Sequence, residues 1–287
     1  MCGRFVASRP VEDIAALLDV DDVDVPEELT TPRFNLAPTD GVLAVATRLR
    51  KHDDEVPEPR RRLTDYRWGL VPSWAKEPGA GVRAFNARAE TLSERPAFRN
   101  ALAKRRCIIP ADAFYEWEKI AAGGRVRRQP WCFAPADGGL IAFAGLWEAW
   151  KPKTEPDPQE LLPGAGWHDQ WLLSCTIITT SANALVEPLH DRMPVILQPE
   201  DWAAWLQPGE LDPGDVSVLL QPAPPDLLRS YPVSPAVNNT RAEGPELVAP
   251  LTGSDAAVDE DDGNQPRLLP LGERQPGAAR NPAAGDS

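Results

Sequence analysis

Cysteine stands at position 2, directly behind the initiator methionine, in the opening MCGRF. A chain end is ordinarily frayed and dispensable, so a reactive side chain there is either an accident or the purpose of the molecule. Cysteine is small enough for the methionine ahead of it to be trimmed. The product would carry two nucleophiles on adjacent carbons, an α-amine with a pKa of about 8 and a thiol near 8.5. An aldehyde meeting this pair forms an imine with the amine, and the thiol then closes on the imine carbon to give a five-membered thiazolidine. No internal cysteine offers that chemistry. The same pair would also suit an N-terminal-nucleophile hydrolase, in which the amine serves as base for its own thiol. Position alone leaves these two readings and a chance cysteine open.

Four further stretches carry side chains that would fit either chemistry. FNARAE (85–90) places Asn86 and Arg88 on one side of an extended segment, with Glu90 following. ADAFYEW (111–117) sets Glu116 between Tyr115 and Trp117, company that desolvates a carboxylate and raises its pKa toward useful acid–base values. LHDRMP (189–194) holds His190; the other two histidines, His52 and His168, fall in segments that read as solvated insertions. RWGLVPSW (67–74) sets Trp68 and Trp74 near Arg67, the aromatic-plus-arginine pairing on which single-stranded bases stack. Each also has an ordinary reading: Glu116 in an ion pair, His190 as a core histidine bonded to Asp191, the tryptophans as core. No paired CxxC spacing supports a zinc site. No GxGxxG or GxxxxGK[ST] supports nucleotide binding, and no GxSxG elbow supports a serine hydrolase.

The elements that must position these residues read as α+β. A helix is expected over 11–20 and a strand over 41–49. A charged loop covers 51–62, and a strand runs from 63 to Pro72. SERPAFRNALAKRR (93–106) reads as a helix capped by Ser93. Short strands follow through CIIPADAFYEWEK, QPWCFAPA and GLIAFAGLWEAW, with Gly123-Gly124 and Gly138-Gly139 as turns. A Pro-rich insertion occupies about 151–170, WLLSCTIITT (171–180) is a buried strand, and PEDWAAWL (199–206) is a short helix. From residue 252 periodicity is lost and seven acids face three bases, the composition of an acidic disordered tail.

With 287 residues and 42% hydrophobic content the chain can bury a substantial core. Its net charge of −13 excludes a generally polyanion-attracting surface, so any nucleic-acid site must be a local arginine patch. The four cysteines are scattered, without the density of a disulfide framework. No apolar run suits a membrane span and no signal peptide opens the chain, so a cytoplasmic protein is expected.

Taken together, MCGRF, RFNLAPT (33–39), RWGLVPSW, FNARAET, RRCIIPADAFYEW, FAGLWE (143–148), TIITTSAN (177–183), LHDRMPVIL (189–197) and SPAVNN (234–239) resemble, in their order, the SOS-response-associated peptidase (SRAP) family of abasic-site processing proteins. The resemblance covers about residues 2–251. It implies one α+β domain with a mixed or antiparallel, barrel-like β core and few short helices, acting as a monomer without metal, cofactor or membrane. The implied partner is single-stranded DNA containing abasic sites, met in the cytoplasm and at the nucleoid when DNA is damaged. By the same resemblance Cys2 traps the ring-opened sugar aldehyde at C1′ as a thiazolidine. Glu116 and His190 would assist the proton transfers, and Asn86 would hold the Cys2 amine or nearby sugar oxygens. Arg4, Arg88 and Arg192 would bind flanking phosphates, and Trp68, with Pro38 and Trp74, would stack on or wedge between bases. Two other functions stay open: a thiol (auto)peptidase using Cys2, and a non-catalytic single-strand binder.

Overall fold

Along GVLAVATRLR, Val42, Ala44 and Ala46 recur at every second position and are buried on one face, and Val45 is buried on the other, the period-two alternation of a strand. That pattern dominates the computed structural model, which describes residues 2–50, 58–122, 125–152, 166–168 and 170–251. In chain order the strands are β1 (Phe5–Ala7), β2 (Asp22–Asp24), β3 (Arg33–Leu36), β4 (Gly41–Arg50), β5 (Glu58–Trp68), β6 (Asn86–Arg88) and β7 (Arg106–Ala111). They continue with β8 (Ala113–Ala122), β9 (Arg125–Pro135), β10 (Ile141–Trp150), β11 (Trp167–His168), β12 (Trp171–Ser181), β13 (Arg192–Pro194) and β14 (Leu228–Pro232). The α-helices are short: α1 (Val11–Leu17), α2 (Arg99–Lys104), α3 (Trp202–Leu206) and α4 (Pro213–Leu219).

One sheet has the order β14-β9-β8-β1-β3 and is antiparallel throughout. The other runs β11-β12-β10-β7-β4-β5-β2, with β6 and β13 also paired to β12. A short parallel joint between β5 and β12, Arg67 to Ser174 and Trp68 to Cys175, brings this second sheet back on itself. The result is ring-like but not a closed barrel. Alternation then sorts the side chains. Val42, Ala44, Tyr66, Trp68, Cys107, Ile109, Phe143, Cys175 and Ile177 form one cluster with Cys2 and Phe5. The opposite faces, through Val45, Leu63, Ile108, Ala144 and Ile178, pack against α1, Ala101 of α2 and Trp205 of α3.

Several local expectations are corrected. The helix expected over 93–106 is α2 alone, and no side chain caps it. Pro96 explains the truncation, because a residue before proline is pushed out of the helical region. The strand expected to reach Pro72 ends at Trp68. There Gly69 turns the chain at φ +133, where a Cβ would lie 2.7 Å from the carbonyl oxygen of Gly81. Residues 58–62 belong to β5 rather than to a charged loop. His52, Gly123-Gly124, the Pro-rich insertion from 153 to 165 and the acidic tail lie outside the described residues.

His168 is likewise part of the fold rather than of a solvated insertion. Asp65, fully buried on β5, accepts the Gly166 N–H at 2.8 Å and has its other oxygen 2.9 Å from His168 Nε2. That carboxylate, chiefly, raises the histidine's pKa above its ordinary value of 6.5. A raised folded-state pKa means stability fully present below the unfolded value and lost as pH rises through the folded one. His168→Gln is therefore expected to cost about 2 kcal/mol near pH 5.5, with a smaller gap to wild type at alkaline pH. Thermal unfolding of both proteins across pH checks this; a pH-independent gap would show that the pair is not ionic.

Candidate functional site around the amino terminus

The backbone immediately after Cys2 is built into a sheet. β1 lies between β3 and β8, pairing Phe5 with Leu36 and with Phe114. Tyr115 N–H donates to Arg4 O at 3.0 Å, carrying the pairing back toward the terminus. Glu116 stands two residues beyond Phe114 on β8, so alternation puts it on the same face as that core phenylalanine. Cys2 itself has 0% exposure. Its Sγ lies 4.0 Å from Arg4 O, and Asn86 Nδ2 donates to its carbonyl oxygen at 2.8 Å. Asn86 is held in place because β6 runs parallel to β12, with Asn86 opposite Ile177. Its Oδ1 is buried with no hydrogen-bond partner among the described residues.

His190 arrives from the segment between β12 and β13. Its N–H donates to Val186 O at 3.0 Å, and its Nδ1 accepts the Arg192 N–H at 3.0 Å. Asp191 Oδ1 is 2.8 Å from the same nitrogen, but this carboxylate is 86% exposed. The Arg192 amide is fixed by the backbone while Asp191 is exposed, so the amide contact favours the neutral ring with its proton on Nε2. The histidine pKa lies below 6.5, mainly through burial and then through the positive chain terminus. At neutral pH His190 is thus an uncharged Nε2–H donor.

Burial also pushes Glu116 up to about 7, opposed by the terminal ammonium. The Cys2 thiol is raised by burial and then by Glu116, with the terminal ammonium again opposing. Glu116 acts on Cys2, and Asp191, the neighbour of His190, acts on Glu116, so groups from distant parts of the sequence meet at one locus. Reactive thiolates need a depressed pKa from neighbouring cations or a helix terminus. Cys2 has the opposite environment and stays a thiol.

Around this centre the expected DNA contacts divide. Arg88 is exposed, Pro38 is partly exposed and Trp74 is 67% exposed. Arg4 donates through Nη1 to Asn35 Oδ1 at 2.8 Å and Val237 O at 2.9 Å, with its guanidinium 5.9 Å from the Trp117 ring centroid. Arg192 is held in a two-pronged pair by Glu90, at 2.6 and 2.9 Å, and also donates to Thr179 O at 2.6 Å. Trp68 corrects an expectation. It has 0% exposure, its Nε1 donates to Phe85 O at 2.9 Å, and its ring packs edge-on against Phe5 and Phe85. A ring with no exposed face offers nothing for a base to stack on. Sequence reasoning missed Asn35, which is buried and joins Arg4 to the carbonyls of Val237, Asn239 and Ala242. It also missed Glu90 as the partner of Arg192. Shared membership of the RFNLAPT and SPAVNN blocks was the available signal for the first.

The sequence profile described as "SOS response associated peptidase (SRAP)" matches residues 1–240. The chain belongs to the SRAP family. Among curated SRAP relatives, the abasic site processing protein YoqW of Bacillus subtilis is 39% identical over 249 residues, covering 86% of this chain and 99% of its own. The abasic site processing protein HMCES of Mus musculus is 31% identical over 282 residues, covering 87% and 76%. A crystal structure of a Bacteroides thetaiotaomicron protein superposes with a TM-score of 0.70 at 22% identity, covering 88% of this chain and all of that one, and shows the shared fold. One from Bordetella bronchiseptica gives 0.59 at 27% identity, covering 81% and 100%. Among the described residues no helix is long and apolar enough to cross a membrane, and no group of three or more His, Cys, Asp or Glu is placed to hold a metal.

The Glu116 environment has a measurable consequence for SRAP stability. A rise from 4.5 to about 7 makes ionising the folded protein cost on the order of 3 kcal/mol. Stability is complete below pH 4.5 and declines as pH rises through 7. Glu116→Gln should unfold with a flatter pH profile over that interval, seen by denaturant titration. A wild-type slope retained in the variant would place the proton elsewhere.

Proposed function

We propose that this SRAP protein, once Met1 is removed, forms a covalent thiazolidine cross-link between Cys2 and an abasic site in single-stranded DNA. The observation that carries the reading is the convergence of Asn86, Glu116 and His190 on a chain end held inside the sheet. Abasic deoxyribose equilibrates with an open aldehyde, and the Nε2–H of His190 is a suitable donor to the ring oxygen as it opens. The Cys2 amine adds to C1′, and the carbinolamine loses water as protonated Glu116 supplies the proton to the departing hydroxyl. The thiol then adds to C1′; its proton leaves through the Glu116 carboxylate and reaches the imine nitrogen. The balance is one water released, one C–N and one C–S bond formed. A group titrating near 7 can serve in both directions at neutral pH, which the Glu116 environment supports. Asn86 Oδ1, without a partner among the described residues, suits the freed amine or a sugar hydroxyl as donor.

Arg88 and Arg4 are assigned to phosphates beside the lesion, and Arg192 joins them if a phosphate displaces Glu90. The exposed Trp74 and Pro38 take the base-contact role that Trp68 cannot. A local cationic rim of this kind would allow DNA binding by a protein of net charge −13, with affinity falling as salt rises. The peptidase reading is less well supported, because the Cys2 environment disfavours the thiolate it needs. On a denaturing gel, mature protein mixed with an abasic single strand should give a heat-stable shifted band, absent in Cys2→Ala. A tag left in front of Cys2 should abolish the band while the thiol remains. Equal cross-linking by the tagged protein would defeat the amine mechanism, and Cys2-dependent peptide cleavage without a DNA band would favour the peptidase.

A further inference from the structure

The inward-facing rows that pack around Cys2 continue along the strands to a second mouth of the ring. Val42, Ala44 and Ala46 lead to Arg48 on β4, and Trp68 and Tyr66 lead to Arg62 on β5. Phe143 leads to Trp147 on β10, and Ile177, Cys175 and Leu173 lead to Trp171 on β12. There the structure holds a cavity of about 540 Å³ whose lining includes Arg48, Arg62, Trp147, His168, Trp171 and Asp24. None of these residues takes part in the proposed cross-linking.

Among the described residues, charge in this mouth does not balance locally. Arg62 is paired with Asp24, and His168 with Asp65. Arg48 makes no ion pair among the described residues. Its guanidinium lies 4.7 Å from the Trp147 ring centroid, and Nη2 donates to Tyr66 Oη at 3.3 Å. Arg48 Nε and Trp147 Nε1 are both buried donors without an acceptor among the described residues. A half-buried cation with no ion pair there, next to an indole N–H that also lacks an acceptor, is a setting that an anion would complete. At the rim Trp171 is 46% exposed, with Lys151 Nζ 5.6 Å from its ring centroid. The site thus offers an anion-binding floor, a flat aromatic surface and a second cation, in a volume typical of small-molecule sites.

We propose that this second mouth binds a free nucleoside monophosphate, its phosphate on Arg48 and its base against Trp171. A guanidinium that already lies over an indole ring keeps its outer nitrogens for phosphate oxygens. The base adds stacking that inorganic phosphate lacks, and the phosphate adds charge pairing that a nucleoside lacks.

Calorimetric titration of the full-length protein with deoxyadenosine monophosphate, deoxyadenosine and inorganic phosphate tests this. The monophosphate should bind at least about tenfold more tightly than either fragment, and Arg48→Gln should weaken it at least about tenfold. Trp171→Ala should erase its advantage over inorganic phosphate. This exposed rim substitution carries the test if Arg48→Gln fails to fold. An undamaged single strand should not displace the nucleotide. Absence of binding, binding unchanged in both variants, or displacement by the single strand would each overturn the proposal. None of these outcomes depends on Cys2 or on aldehyde chemistry.

Discussion

The rest of the site depends on one hydrogen bond and the strand behind it: Asn86 holding the carbonyl of Cys2 at 2.8 Å. Chain ends fray because ordering them costs conformational entropy with few contacts in return. Here β1 is paired on both sides, Cys2 is buried in the core cluster, and Asn86 fixes its backbone from a third strand. A terminal amine and its thiol are useful only if their position is defined. This arrangement gives a chain end the order of an internal strand residue.

Burying that end sets the electrostatics. Water is removed from Cys2, Glu116 and most of His190, and each responds by disfavouring its charged form. The carboxylate moves up to about 7 and the imidazole down, so both are partly or wholly neutral at physiological pH. Such groups can exchange protons with a carbinolamine without large changes of charge. The same desolvation that tunes them keeps the Cys2 thiol from ionising, which suits a nucleophile acting second, on an imine, better than one attacking first.

Much of this was legible in the sequence because strand alternation is a local property. Glu116, set between Tyr115 and Trp117, and Asn86, on a short extended segment, could be singled out from their immediate neighbours. The nine ordered blocks carried the family, and the α+β ring followed from it. Trp68 was misread because a tryptophan beside an arginine looks alike whether it faces solvent or Phe5. Only the return of β5 against β12 decides that, and this joint links residues far apart in sequence. Asn35, Glu90 and the clamp between Asp65 and His168 were missed for the same reason: each acts on a partner brought close by sheet topology. Pro96 did carry a local signal against a long helix, and the apparent helical spacing outweighed it.

The central claim is that amine and thiol act together on one carbon. Intact mass spectrometry of the cross-linked species, with and without borohydride during the reaction and after it, tests this most directly. The account predicts an adduct lighter by one water than the sum of its parts, which borohydride does not change once formed. The Cys2→Ser protein should instead give an adduct that gains two hydrogens under the same treatment. A wild-type adduct that remains fully reducible would show a simple imine, and the thiol would have no part in the product.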